Sequence, residues 1–137
     1  MTNVKLYIDK RSLAKFEANM KRLGKDALKQ LARNLYTEGE ELLAEAIPLT
    51  PLEFSPLRNS GRVELPRISG NRVSVTVGFG GPAAPYALYV HEMPSTNNFT
   101  TPGTGPKYLE RPARRRARGL AGRINRDLIR TATARGL

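Results

Sequence analysis

From Leu13 to Ala46 the apolar residues of this chain recur three and four apart: Leu13, Phe16, Met20, Leu23, Ala27, Leu28, Leu31, Leu35, Leu42, Leu43 and Ala46. That spacing marks one face of an α-helix, with Lys, Glu, Asn and Arg left for the opposite face. Asp9 or Ser12 stands where a side-chain oxygen can accept a bond from a free N–H of the first turn. Pro48 closes the pattern, because the residue before a proline is pushed out of the α region. A single straight helix over residues 12–46 would run about 52 Å at about 1.5 Å per residue. A compact chain of 137 residues has a radius of gyration near 14 Å, hence a diameter of about 37 Å. The helix therefore either bends, with Gly24 and Gly39 as its weak points, or projects past its own globule onto a neighbour.

The rest of the chain supplies a small sheet and a second helix. VKLYI, residues 4–8, alternates with β-branched and aromatic residues and reads as a strand. Residues 48–61, with three prolines, read as an irregular loop. Residues 62–80 form a β-hairpin turning at Gly70-Asn71, with Val73, Val75, Val77 and Phe79 on one face. Pro66 cannot donate to a ladder, so its strand belongs at a sheet edge. YALYVHE, within residues 85–92, fits a strand or a short helix. On the helical reading Tyr86, Tyr89 and Val90 share a face. Residues 93–106 are rich in Thr, Asn, Gly and Pro and form a long exposed loop. Residues 107–134 form a helix whose inner side is Tyr108, Leu109, Ala113, Ala117, Leu120, Ile124, Leu128 and Ile129, with Pro112 in its first turn. The expected fold is a single α+β domain: a long N-terminal amphipathic helix and a basic C-terminal helix packed on a small, mainly antiparallel sheet.

Chemistry is scarce in this sequence. It holds no cysteine and one histidine, which removes disulfides, thiolate catalysis and the usual structural zinc ligands. His91-Glu92 starts like a metalloprotease motif, but the position of the second histidine is Ser95, with Pro94 breaking any helix between. His91 reads as a partly buried, hydrogen-bonding residue. Glu38, Glu40, Glu41 and Glu45 include helical i,i+4 pairs that read as a solvated face. No nucleophile–base pair and no phosphate loop stands out, so no enzyme, metal or cofactor is expected. Nor is a membrane partner, since no apolar run approaches the roughly 18 residues of a span. The N-terminus lacks the apolar core of a secretory signal, which makes cytoplasmic synthesis the expectation.

Charge is the other strong signal. The formal net charge is +11, and residues 107–137 carry ten of the 23 basic residues but only two of the 12 acidic ones. Arg111, Arg114, Arg115 and Arg118 fall on one face of the C-terminal helix, with Arg116, Arg123, Arg126 and Arg130 widening the band. Such a band can neutralise phosphates, solvate the outside of a helix, or pair with acidic residues of a subunit. As a binding surface it would serve a basic nucleic-acid-binding module.

The order of segments carries a resemblance. The helix ends in Ala46-x-Pro48-Leu49-Thr50-Pro51, and Leu57-Arg58-Asn59-Ser60 and the valine-rich hairpin follow. Next come Tyr86-Ala87-x-Tyr89-Val90-x-Glu92, a Thr/Gly/Pro loop, and Lys107-Tyr108-Leu109-Glu110-Arg111-Pro112-Ala113. Over about residues 30–120 this resembles the head–tail joining (neck or tail-completion) proteins of long-tailed bacteriophages. The family's aspartate-threonine-glycine after the proline turn is replaced here by LEFSP, residues 52–56. The resemblance implies a structural virion protein, assembled in the host cytoplasm, that forms a ring of about six or twelve copies between the head connector and the tail-tube or terminator proteins. Double-stranded DNA would then lie in the lumen. Leu52, Phe54, Leu57, Tyr86, Tyr89, Phe99 and Tyr108 would serve the ring interfaces. Arg111, Arg114, Arg115, Arg118, Arg123 and Arg126 would face DNA or an acidic partner.

Overall fold

Val73, Val75, Val77 and Phe79 alternate along one strand and are all but fully buried, so this strand is where the fold is organised. A computed structural model of the chain describes residues 2–8, 10–51, 55–70, 72–82, 84–93 and 104–137. The fold is α+β. Strand β1 (Thr2–Ile8) pairs antiparallel with the valine strand, which is β4 (Arg72–Phe79), from Thr2 opposite Phe79 to Ile8 opposite Val73. On its other side β4 pairs antiparallel with β2 (Arg62–Val63) and β3 (Arg67–Ser69). Pairing runs through Val63 opposite Val77, and the Glu64 N–H reaches the Thr76 carbonyl at 2.8 Å. It resumes one residue out of step at Arg67 opposite Ser74. Leu65 and Pro66 fill the resulting bulge, where a proline needs no ladder donor. The edge position expected for Pro66 holds.

The long amphipathic stretch is bent. It begins at Lys10 and runs as α1 (Lys10–Lys15), α2 (Glu17–Leu23), a 3-10 turn (Gly24–Asp26) and α3 (Ala27–Ala46). Ser12 thus lies inside α1 and does not precede it; Asp9 is outside the described residues. Phe16 breaks the first junction and Gly24, at φ +64°, the second. Gly24 adopts a backbone that an L side chain resists. The bend lets Phe16, Leu23, Leu31 and Leu35 meet Val73 and Val75 from one sheet face, together with Ile124 and Leu128 of the C-terminal helix. Gly39, the other proposed weak point, does not break α3. A Cβ there would stand 2.9 Å from Val75 Cγ1 and 3.0 Å from Val63 Cγ1, so its bareness sets how closely α3 approaches the sheet.

Residues 48–61 are less irregular than expected: a 3-10 turn (Ile47–Leu49) and α4 (Ser55–Asn59) occupy much of them. YALYVHE folds as α5 (Ala87–His91). The C-terminal helix is two helices, α6 (Glu110–Ala117) and α7 (Leu120–Ala134), because Arg118 is extended and Gly119 left-handed at φ +76°. Pro112 does sit buried in the first turn of α6. The break rotates the inner side, leaving Ala117 and Ile129 exposed although the periodicity placed both inside. A second core cluster around Leu42, Leu57, Phe79, Val90, Tyr108 and Leu109 lies at the other end of α3.

Candidate interaction surfaces

The segments that carry the resemblance become internal ties. Leu57 is fully buried in the second core cluster. Its neighbour Arg58 donates through Nη2 to the Thr50 carbonyl at 2.8 Å and to Pro48 O at 3.4 Å, clamping the proline turn. Ser60 Oγ donates to Leu57 O at 2.6 Å and accepts the Gly80 N–H at 2.8 Å, joining α4 to the end of β4. Each residue of the Leu-Arg-x-Ser step thus has a folding role.

Tyr108 is fully buried. Its hydroxyl donates to the Ala87 carbonyl at 2.8 Å, and its ring meets Phe79 and His91 edge-on with centroids 5.1 and 4.9 Å apart. Burial pushes the phenol up to about 12. His91 is buried too, and its Nε2 accepts the Glu110 N–H at 3.3 Å. That contact caps α6 and leaves Nδ1 to donate to Glu92 Oε1 at 3.1 Å. The expectation of a hydrogen-bonding histidine is met. Lys107 has φ +56°, the one positive value outside glycine among the described residues. Its N–H donates to the His91 carbonyl at 2.8 Å, and its ammonium bonds Glu92 and lies 3.5 Å from Glu110. The hydrogen bond from Lys107 holds Glu92 below its ordinary range, and the same bond raises Lys107. Met93 ends the described part of this loop, and Gly105 returns by donating to Leu49 O at 3.1 Å.

These contacts correct the expected interface. Leu57 and Tyr108 are core residues with no surface to offer a neighbour, since both pack fully buried in the second core cluster. Leu52, Phe54 and Phe99 lie outside the described residues. Tyr86 is half-buried and Tyr89 is 71% exposed, so Tyr86, Tyr89 and Val90 do not share one environment. With Leu88, Tyr89 makes an exposed apolar pair on α5.

Two charged runs distant in sequence meet at α3. Arg116 Nη2 donates to Glu38 Oε2 at 2.9 Å, its Nη1 to Glu45 Oε1 at 2.8 Å, and Glu41 completes the set. Arg123 Nε donates to the other Glu38 oxygen at 2.5 Å. The Glu38 side chain is 5% exposed, between guanidiniums at 19% and 30%. Burial pushes its carboxyl up, but hydrogen bonds from Arg123 and Arg116 together hold it below the ordinary 4.5. Glu38 is therefore not part of a solvated face, and Glu45 only partly, whereas Glu40 and Glu41 stay exposed as expected. Arg123 is a structural partner, outside the free basic band. Sequence spacing could not reveal this, because the partners are 71 to 85 residues apart.

The outer side of α6 is different. Arg114 and Arg115 side chains are 80% and 66% exposed. Arg111 and Arg118 are exposed as well, while Arg126, also exposed, lies on α7 beside Glu38 and Glu41. Nearby, a mostly apolar groove of about 210 Å³ runs between β1 and the C-terminal helices, lined by Val4, Leu6, Leu42, Ala113 and Leu120. Among the described residues no group of three or more His, Asp or Glu is placed to hold a metal ion, and no helix is long and apolar enough to cross a membrane. Comparison with protein-family models, curated proteins and solved structures gives no significant match to this chain.

Proposed function

We propose that this chain is a structural component of a bacteriophage neck, a ring protein that joins the head connector to the tail tube during assembly. The supporting observation is where the residues of the resemblance go. Arg58 and Ser60 brace the proline turn and β4, and Tyr108 ties α6 to α5. Lys107 ties the two ends of the long loop through His91 and Glu92. None is arranged around a reacting atom; all brace the bases of loops, as an assembly protein needs. Exposed Leu88 and Tyr89, the unpaired edge of β1 and the groove beside it are the surfaces a neighbouring copy or adjacent ring would cover. The copies number six or twelve in this reading, and the loops 48–61 and 93–106 meet the adjoining rings.

Genetic removal tests it. A phage lacking this chain is expected to accumulate filled heads and complete tails that do not join, and complementation should restore joined particles. Joined, infectious particles without the chain would end this reading.

A further inference from the structure

We infer that the outer face of α6, continued by Arg118, is a docking surface for the backbone of double-stranded nucleic acid. Arg111, Arg114, Arg115 and Arg118 sit at i, i+3, i+4 and i+7, one face of a helix on which neighbours lie three or four apart. Arg116 occupies the opposite side and is consumed by Glu38, Glu41 and Glu45. The helix thus sorts its arginines by face. On the outer face the carboxylate contacts are Glu110 with Arg114 at 2.7 Å and Glu45 with Arg115 at 3.7 Å. The guanidiniums of Arg111 and Arg118 have no partner among the described residues.

Four features select the partner. Arginine forks bind phosphate oxygens bidentately, and the run from Arg111 to Arg118 rises about 10 Å, a length over which a duplex presents about six charges. None of these arginines lines the apolar groove beside β1. Within residues 110–126 no large apolar side chain is exposed; the first is Ile129 at 41%, so the face lacks the buried anchor that protein partners use. Aromatic side chains are also missing from the face, so unpaired bases would have nothing to stack on. What remains is neutralisation of a phosphate backbone. This inference is independent of the neck reading and holds for the chain outside any particle.

The test uses the full chain and a short random-sequence DNA duplex, with binding followed by anisotropy over a salt series. Four contacts give a slope of log K against log salt of about −3.6. Each of Arg111→Gln, Arg114→Gln, Arg115→Gln and Arg118→Gln should reduce the slope by about one unit, and the fourfold variant should lose most of it. Lys25→Gln, in the turn before α3, and Lys29→Gln, in its first turn, should leave the slope unchanged, and urea unfolding should show all variants folded. A single strand of equal length should bind more weakly than the duplex. An unchanged slope in the fourfold variant would overturn the inference. So would equal binding of poly-glutamate, which would assign the face to an acidic protein, or of phosphatidylserine vesicles, which would assign it to a membrane surface.

Discussion

Arg115 and Arg116 are adjacent in sequence and differ in everything that matters physically. Arg116 turns toward α3, keeps 19% of its side chain in water and holds three carboxylates. Arg115 turns outward, 66% exposed, with one carboxylate at 3.7 Å. A buried charge pair is costly to break, because the survivor is left without water or partner. An exposed pair contributes about 0–1 kcal/mol and is screened by salt. One helix therefore carries a stapling face and a binding face, and a count of its positive charges describes neither.

The largest effect is expected at the centre of the staple. Glu38→Ala removes the carboxylate between Arg116 and Arg123 and should cost about 3 kcal/mol of unfolding free energy in urea. The pH dependence has a definite sign. A carboxyl held below 4.5 in the fold stabilises above that pH, and the contribution is lost as pH falls through the folded value. Stability should therefore drop in acid below about pH 4.5, and Glu38→Gln should flatten that drop; an equal acid slope in the variant would place the sensitivity elsewhere.

A smaller loss, about 2 kcal/mol, is expected for Gly39→Ala, since the new methyl meets Val75 and Val63 on a packed face. It should loosen α3 from the sheet and disturb the staple indirectly, so a cycle with Glu38→Ala should be non-additive. Tyr108→Phe should cost about 1 kcal/mol, because the Ala87 carbonyl at 2.8 Å loses its buried donor. Arg114→Gln, at a side chain 80% exposed, should stay within about 0.5 kcal/mol of the parent; a larger loss would blur the division between the faces.

What the sequence disclosed followed from period. The alternation Val73, Val75, Val77, Phe79 places the central strand, since each second residue returns to the same face. The α+β class and the edge position of Pro66 followed from equally local signals. The bend at Gly24 was one of the two expected, whereas the breaks at Phe16 and Arg118–Gly119 were hidden, because the apolar spacing continues through them while the backbone does not. Gly24 and Gly119 were signals of equal kind to Gly39, yet Gly39 is packed against valines in mid-helix. Periodicity put Tyr108 on the inner side of its helix while the resemblance offered it to a neighbour; it is core, because Ala87 and His91 close over it. The union of Glu38 with Arg116 and Arg123 depends on α3 and the C-terminal helices packing together, which no local spacing encodes.

The most direct test compares the two neighbours on α6 in one urea experiment at neutral pH. Arg116→Gln should lose about 2 kcal/mol, while Arg115→Gln should stay within about 0.5 kcal/mol of the parent. Equal losses, or a larger loss at Arg115, would contradict the two-faced helix on which this account rests.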